Sequence, residues 1–389
     1  MGAGPVGLTA AAEAAERGVD VKVFEEHLQI GYPRHCAGLI SVSGLRDLEL
    51  LGSKELIQAE VRGVRVFSPS GFEAKIDLGV VKAYVVDRAM MDMELARRAV
   101  RLGAEIVLGR RVRRVELREG KVAVLRVGDR RVEAGVVLDC EGAARRVLRA
   151  SELLGKLEGV MPAVNVEVRG VEVEEGFVEV HLGRNVAPNF FAWVIPLGES
   201  MARCGLACPE ADPLDRCTEL LRRRFGRFKV TSIQRGLLVH GGPIGKTAWP
   251  GLLAVGDAAG QVKPTTGGGV VFGCSCARTA GRLAAEALSA EDPWSVLSRY
   301  EEAWRSEWGD QTEKMAWMLR LFRSLTDRDL DRVVRFIDSI SGDLSEILRE
   351  ADMDRHGEIL AELSSRPGIL SKAVRHLGVR LAAKLVGML

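Results

Sequence analysis

The sequence predicts a mixed α/β chain in which a nucleotide-type fold opens, an antiparallel sheet interrupts that fold, and a helical region closes. Three observations carry the prediction. Residues 2–7, GAGPVG, lead into an alanine-rich helix, a short strand and an acid. Residues 252–282, LLAVGDAAGQVKPTTGGGVVFGCSCARTAGR, read as a buried strand, a turn bearing one carboxylate, and a glycine-rich entry to a second helix. Between them, residues 159–206 hold short strands of alternating polarity.

Gly2, Gly4 and Gly7 form GxGxxG, Leu8 to Arg17 favours helix, Gly18 ends it, and Val19 to Phe24 alternates as a strand. Glu25 stands at the end of that strand, about 20 residues after the glycines, where such a fold places an acid for a ribose. Glycines let backbone approach a ligand that a Cβ would block, and a helix N-terminus offers N–H groups to an anion. Asp257, in the second glycine-rich stretch, can accept hydrogen bonds from sugar-like hydroxyls. The fold normally has an apolar strand before its first glycine, whereas only Met1 precedes Gly2. The expectation is an open interior sheet edge with exposed apolar surface, and a start that has been misassigned or trimmed.

Residues 31–41, GYPRHCAGLIS, form a loop with a cysteine between Pro33 and Gly38. Cys36, beside Arg34 and His35, is either a reactive thiol or a small apolar group packed under a ligand. Residues 61–76 read as a hairpin around Pro69, Ser70 and Gly71. Residues 83–99 read as a strand, Asp87-Arg88, and a helix with Met91, Leu95 and Ala99 inward. Arg88 is a surface cation or a phosphate partner. Strands around Val107, 112–117, 122–127 and 132–137 form a meander, and 136–139 lead into Cys140, Glu141 and Gly142, a second strand-Asp-Gly element like that at Asp257.

The segments 163–168, 177–182, 189–198 (NFFAWVIPLG) and 202–206 make a separate antiparallel sheet inserted in the nucleotide fold. Strand alternation puts Phe191 and Trp193 on one face and Phe190 on the other, as sheet core or as a wall for an apolar ligand. Beyond Arg282 the chain is helical: 293–318, then 327–337 capped by Thr326. The last segment, 366–389, spaces Leu370, Val374, Leu377, Leu381, Leu385 and Met388 by threes and fours, with Lys372, Arg375, Arg380 and Lys384 off that stripe. Such a helix either docks on the body or rests in a lipid headgroup layer. The domain division expected is 1–155 for the nucleotide fold, with 60–85 lending a hairpin to the substrate side. The antiparallel domain follows at 156–240, a return at 241–290, and the helical region at 291–389.

A chain of 389 residues exceeds one comfortable core. Its 55 basic and 53 acidic residues nearly cancel to +2, so no nucleic-acid partner is indicated. No apolar run approaches the ~20 residues that span a bilayer, and no signal segment opens the chain, so a cytoplasmic location is expected. The seven cysteines follow no disulfide framework, and Cys204, Cys208 and Cys217 lack the CxxC pair or histidine that would make a metal site.

Taken together, GAGPVG with Glu25, YPRHCAG, VVDR with Arg88, FAWVIPLG and VGDAAGQVKPTTGGG resemble the geranylgeranyl reductase family of flavoproteins, in its archaeal digeranylgeranylglycerophospholipid reductase branch. The likeness runs in order from the first residue to about Arg282. It implies an FAD-binding fold of the aromatic-hydroxylase type with FAD extended along it. By matching positions it implies Gly2, Gly4, Val6 and Gly7 around the pyrophosphate, Glu25 on the adenosine ribose, and Arg88 and Val112 along the dinucleotide. Asp257 would meet the ribityl chain or pyrophosphate, the Gly269 and Val270 backbone the flavin ring, and Cys36, Ala37 and Leu39 its reactive edge. The activity implied is reduction of C=C bonds in geranylgeranyl chains of membrane ether lipids. Phe191 and Trp193 would floor an apolar tunnel, and Cys36, Tyr32, His35 or a water would give the proton. The resemblance also implies peripheral contact with the inner face of the cell membrane, and leaves the electron donor open among a ferredoxin, a deazaflavin and a nicotinamide. Against a flavin monooxygenase of the same fold stands the cysteine loop; against a halogenase, with its WxWxIP strand, stands Phe191 in FAWVIP. An electron-transfer flavoprotein-quinone type dehydrogenase would need an iron-sulfur site that no clustered cysteines supply. A non-catalytic FAD-containing membrane scaffold is the alternative from another class.

Overall fold

The computed structural model describes residues 1–118, 122–155, 158–209, 211–379 and 382. The chain divides into two compact units, each built from three segments: 1–34, 88–160 and 239–312 in the first, and 35–87, 161–238 and 313–389 in the second.

In the first unit the helix Pro5–Ala15 follows from its alanines and from Pro5 at its first turn. It packs backbone-close on the helix Val270–Leu288, because a Cβ on Gly281 would lie 2.5 Å from the Ala10 carbonyl oxygen. Ala10, Ala277, Ala280 and Leu283 continue into one core with Phe272, Tyr300, Trp304 and Trp308. Lys22–Phe24 pairs in parallel with Glu105–Val107. The strand at Val107 therefore lies outside the meander, which consists of Val112–Arg118, Val122–Val127 and Arg130–Ala134. Its partner is set by the parallel crossover that a nucleotide fold requires.

Val137–Asp139 pairs in parallel with Leu252–Ala254 in a separate sheet. The open edge expected from the sequence is present: among the described residues Lys22–Phe24 pairs only with Glu105–Val107 and Val137–Asp139 only with Leu252–Ala254, and Met1 and Gly2 bridge the two sheets at one end. The Met1 ammonium donates to the Leu138 carbonyl at 2.7 Å, Cys140 N–H donates to the Met1 carbonyl at 3.0 Å, and Gly2 N–H donates to the Phe24 carbonyl at 2.8 Å. Val23 and Val137 are both buried, so the expected apolar exposure is not found at these strands.

In the second unit a seven-stranded sheet runs in the order Lys229–Val239, Val160–Arg169, Met201–Ala207, Ala192–Pro196, Phe177–His181, Gly63–Phe67 and Glu73–Asp77. Its last two strands are the hairpin expected around Pro69 to Gly71. One face, with Val164, Val166, Val194, Cys204 and Leu206, is covered by the helix Pro213–Phe225 through Cys217, Leu220 and Leu221. The opposite face carries Val178, Trp193 and Ile195. Thr326 and Asp329 form a reciprocal capping box at the start of the helix Asp327–Ser339.

The helix Pro367–Leu377 turns Ile369, Ala373 and Leu377 inward and leaves Val374 46% exposed. Leu377 faces inward as the expected stripe has it, whereas Ile369 and Ala373 take the inward places expected for Leu370 and Val374, with Ala373 and Leu377 beside Val333 and Phe336. Arg380, Leu381, Lys384, Leu385 and Met388 lie outside the described residues. Among those described, no helix is long and apolar enough to cross a membrane.

Beneath the helix Pro213–Phe225 sits a buried charge network. Glu179, 2% exposed, accepts from Arg224 at 2.7 and 2.9 Å, contacts His181 Nε2 at 2.9 Å, and pairs with Arg65 at 3.3 Å. Burial pushes its carboxyl up, but the hydrogen bonds from His181 and Arg224 outweigh burial and hold it at about 2, below an ordinary value near 4.5. A carboxyl depressed on folding contributes stability that is full above the ordinary value and lost as pH falls through the folded one. Denaturant unfolding from about pH 6 to about pH 3 should therefore show wild type losing about 2 kcal/mol more than Glu179→Gln over that interval. Equal pH slopes in the two proteins would contradict this account.

Candidate active site

At the start of the chain the glycines divide into two kinds. A Cβ on Gly2 would lie 2.4 Å from the Cys140 carbonyl oxygen, and one on Gly7 only 2.0 Å from that of Gly2, so both are required by packing. Gly4, the N-cap of Pro5–Ala15, has ordinary extended backbone, and a Cβ there meets nothing within 4 Å. Open space thus lies before the helix N-terminus at the position where the resemblance puts a pyrophosphate. Glu25 accepts from Ala3 N–H at 2.8 Å and His27 N–H at 2.9 Å, and contacts His27 Nδ1 at 2.6 Å. These fill three of roughly four acceptor sites on a carboxylate and leave one for a ribose hydroxyl. Arg88 is half-buried and forks onto Asp92 at 3.0 to 3.1 Å. Val112 is buried by side chain among Val115, Leu125 and Val127, so its backbone is what it offers a ligand.

Val6 joins this end to the second glycine-rich stretch. Cβ atoms on Gly256 and Gly273 would come within 2.9 and 2.8 Å of the Val6 side chain. Gly256 also has φ +67°, a conformation that favours glycine. The turn is further held by Gln261, whose Oε1 accepts Gly256 N–H at 2.8 Å and whose Nε2 donates to the Tyr300 hydroxyl at 2.9 Å. Arg145 donates from Nε and Nη2 to the Asp257 backbone carbonyl at 3.2 and 3.1 Å. Burial raises the Asp257 carboxyl above its ordinary range, opposed by Arg145 and Arg88. A Cβ on Gly269 would lie 2.5 Å from Asp257 Oδ1, so this carboxyl sits beside the Gly269-Val270 entry to the helix Val270–Leu288. Open space at Gly4, an unused acceptor on Glu25 and Asp257 at a glycine-lined helix entry fit the phosphates and hydroxyls of FAD.

The cysteine loop belongs to the second unit. Cys36 Sγ accepts Gly38 N–H at 3.4 Å, and Gly38, at φ +78°, accepts Val86 N–H at 2.8 Å. Ala37 and Leu39 pack on the cluster that holds Phe190, Trp193, Ile195, Val178 and Leu319, with Phe191 at its border. Phe191 stacks on Phe190 at 4.4 Å and meets Trp193 edge-on at 6.0 Å. Phe190 does not take the opposite face, because the strand begins only at Ala192, after Asn189 at positive φ, and alternation does not reach back to it. Trp193 Nε1–H donates to Asn165 Oδ1 at 3.0 Å, and Asn165 Nδ2 donates to the His35 carbonyl at 3.4 Å. Arg145, Asn165, Glu167, Arg203 and Gln261 carry no motif that marks them in the sequence: Arg145 adjoins Arg146, Asn165 and Glu167 alternate with valines as a half-exposed strand would, Arg203 is a single cation among small residues, and Gln261 follows Gly260 in the glycine-rich stretch. Among the described residues, no cluster of three or more His, Cys, Asp or Glu is arranged to hold a metal ion.

A family model for tryptophan halogenase matches residues 56–332, and one for an NAD(P)-binding Rossmann-like domain matches residues 1–33. The chain is 35% identical over 363 residues to digeranylgeranylglycerophospholipid reductase 2 of Methanothermobacter thermautotrophicus, covering 89% of this chain and 92% of that relative. The chain belongs to the digeranylgeranylglycerophospholipid reductase family. A protein of the same name from Methanopyrus kandleri is 31% identical over 395 residues, covering 97% of this chain and 98% of the relative. Among solved structures, a geranylgeranyl bacteriochlorophyll reductase-like protein from Thermoplasma acidophilum superposes with a TM-score of 0.81 at 23% identity, over 96% of this chain and 97% of that one. The tryptophan halogenase match spans most of the chain, so the chain belongs to that family as well.

For this member of the family, the two kinds of glycine predict two phenotypes. Gly4→Ala should keep its melting temperature yet purify with flavin content lowered about tenfold, since its Cβ fills only ligand space. Gly7→Ala should lose stability by about 1–3 kcal/mol, since its Cβ meets backbone. Thermal melts and flavin absorbance distinguish them; an unstable Gly4→Ala would show that this glycine serves packing.

Proposed function

We propose that the protein reduces carbon–carbon double bonds in the geranylgeranyl chains of archaeal ether phospholipids, with FAD as cofactor. The observation that carries the reading is the 35% identity, over 89% of the chain, to a relative named digeranylgeranylglycerophospholipid reductase. Gly2, Gly4, Val6 and Gly7 hold the pyrophosphate, Glu25 the ribose, and Arg88 and Val112 the length of the dinucleotide. Asp257, Gly269 and Val270 serve the flavin half, and Cys36, Ala37 and Leu39 its reactive edge. Reduced FAD, when bound, supplies the hydride that adds to one alkene carbon.

The chain must deliver a proton to the other carbon, exclude water and hold the alkene in place. Cys36 is the candidate proton holder. Phe191 and Trp193 form the wall for the isoprenoid chain. An alkene offers no hydrogen bond, so its wall should carry no unsatisfied donor; the Trp193 indole N–H is already taken by Asn165, which leaves an apolar ring. The protein works in the cytoplasm against the inner face of the membrane, with Val374 and Val379, 46% and 73% exposed, toward the headgroup layer. Its electrons come from a ferredoxin, a deazaflavin or a nicotinamide. A second reading, oxygen-dependent halogenation, is favoured by the tryptophan halogenase match over residues 56–332.

The test is anaerobic incubation of FAD-loaded protein with dithionite and a digeranylgeranyl glycerophospholipid, followed by product mass. The product should gain about two mass units per bond, and Cys36→Ala and Trp193→Ala, still holding FAD, should be slower by about tenfold or more. Unchanged lipid, with halogenated tryptophan formed in a separate aerobic incubation of the reduced enzyme with halide and tryptophan, would replace the reductase reading by the halogenase one.

A further inference from the structure

Two side chains from neighbouring strands reach the backbone on either side of Cys36. Asn165 of Val160–Arg169 donates to the carbonyl of His35 at 3.4 Å, and Arg203 of Met201–Ala207 donates through Nη1 to the carbonyl of Ala37 at 2.7 Å. Arg203 is 3% exposed, and three more of its five N–H donors are used: Nε and Nη2 go to Glu167 Oε1 at 3.1 and 2.8 Å, and Nη2 goes to Gln58 Oε1 at 3.1 Å. Glu167 stands two residues along the same strand from Asn165 and lies opposite Arg203 in the register.

Room for this contact is made by Gly38, since a Cβ there would lie 2.9 Å from Arg203 Nη1 and 2.6 Å from the Val86 carbonyl oxygen. The same Gly38 donates its N–H to Cys36 Sγ. On the other side Gly236 comes within 3.0 Å of the His35 side chain by the same measure. A buried guanidinium is costly unless every donor is paired, and a small apolar residue would have filled this volume more cheaply. This cation is paired with Glu167 and Gln58 and aims one N–H at a loop carbonyl, one residue past the thiol.

We propose that Arg203, oriented by Glu167, is a positioning residue for Cys36. It holds the Ala37 peptide so that Gly38 N–H stays on the sulfur and the thiol keeps a single direction. Asn165 does the same from the His35 side and ties that direction to Trp193 through its Oδ1. The inference rests on the reading that Cys36 serves the reaction, and its labelling arm does not.

Arg203→Lys is the informative variant. A lysine keeps the charge beside Glu167, but a single ammonium cannot reproduce the planar fork that spans Glu167, Gln58 and the Ala37 carbonyl. With the full-length, FAD-loaded protein, the melting temperature and flavin content should stay near wild type while alkylation of Cys36 by iodoacetamide, read by peptide mass, changes about fivefold or more. In the reductase assay kcat should fall about tenfold with KM for the lipid little changed. The loss should vanish when Arg203→Lys is added to Cys36→Ala, since both remove the same element. Glu167→Gln, which keeps an acceptor for the guanidinium, should show a smaller change of the same kind and replaces Arg203→Lys if the latter does not fold. Wild-type Cys36 alkylation in a folded Arg203→Lys protein would overturn the proposal, as would additive losses in the Cys36→Ala background. Absence of reductase activity in wild type, with the alkylation change intact, would remove the functional reading and leave the positioning role standing.

Discussion

The arrangement of the first unit depends on one socket, the Val6 side chain seated between Gly256 and Gly273. It joins the first glycine motif to the strand-turn-helix from the far end of the sequence, and any Cβ at either glycine would force the two apart. The same close approach recurs where Gly7 lies on Gly2 and where Gly281 lies on Ala10, so the helices Pro5–Ala15 and Val270–Leu288 meet backbone to backbone. Side-chain volume has been removed along this seam, and the aromatic mass of Phe272, Tyr300, Trp304 and Trp308 is placed behind it. The Gly4 space is open because the glycines on both sides of it have drawn the backbone tight.

The second unit solves a different problem. Its sheet is covered on one face by the helix Pro213–Phe225, and charges beneath that helix are neutralised in a group in which Glu179 meets Arg224, His181 and Arg65. The other face keeps its polar groups to the minimum that holds a loop: Asn165, Glu167 and Arg203 are each satisfied by backbone carbonyls or by one another. What remains for a ligand on that face is apolar surface of Phe191, Trp193 and their neighbours. That surface offers no free hydrogen-bonding group in Trp193, whose indole N–H is taken by Asn165.

The two units were not equally legible in the sequence. Glycine-dependent features left local marks, so GxGxxG with Glu25 and the stretch around Asp257 placed the parallel fold and its helices before any contact was known. The hairpin about Pro69 to Gly71 and the capping box at Thr326 were readable for the same reason, because a turn or a cap is decided within a few residues. The strand at Val107 was assigned to the wrong neighbours, since its partner is Lys22–Phe24, distant in sequence, and alternation alone does not name a partner. Of the terminal stripe Leu377 points inward as its spacing predicts, but Ala373 replaces Val374 because the inward face is chosen by Val333 and Phe336 on another helix. Arg203 and Asn165 were invisible: a buried polar residue in a strand reads as an interruption until the carbonyl it satisfies is known.

The helical region that follows the second glycine-rich stretch supplies Leu319 and Met353 to the cluster of Trp193, and Leu321 and Phe322 to the cluster behind Phe191. Phe191 belongs to the border of both clusters, so the position of its ring is settled jointly by the strand that begins at Ala192 and by the helix Arg299–Ser324. A substitution at Leu321 or Phe322 can therefore move the Phe191 ring without touching the cysteine loop, whose carbonyls are held independently by Asn165 and Arg203. The cysteine loop is held by hydrogen bonds from the sheet, whereas the Phe191 ring is placed by packing against the helical region, so the two can be perturbed independently.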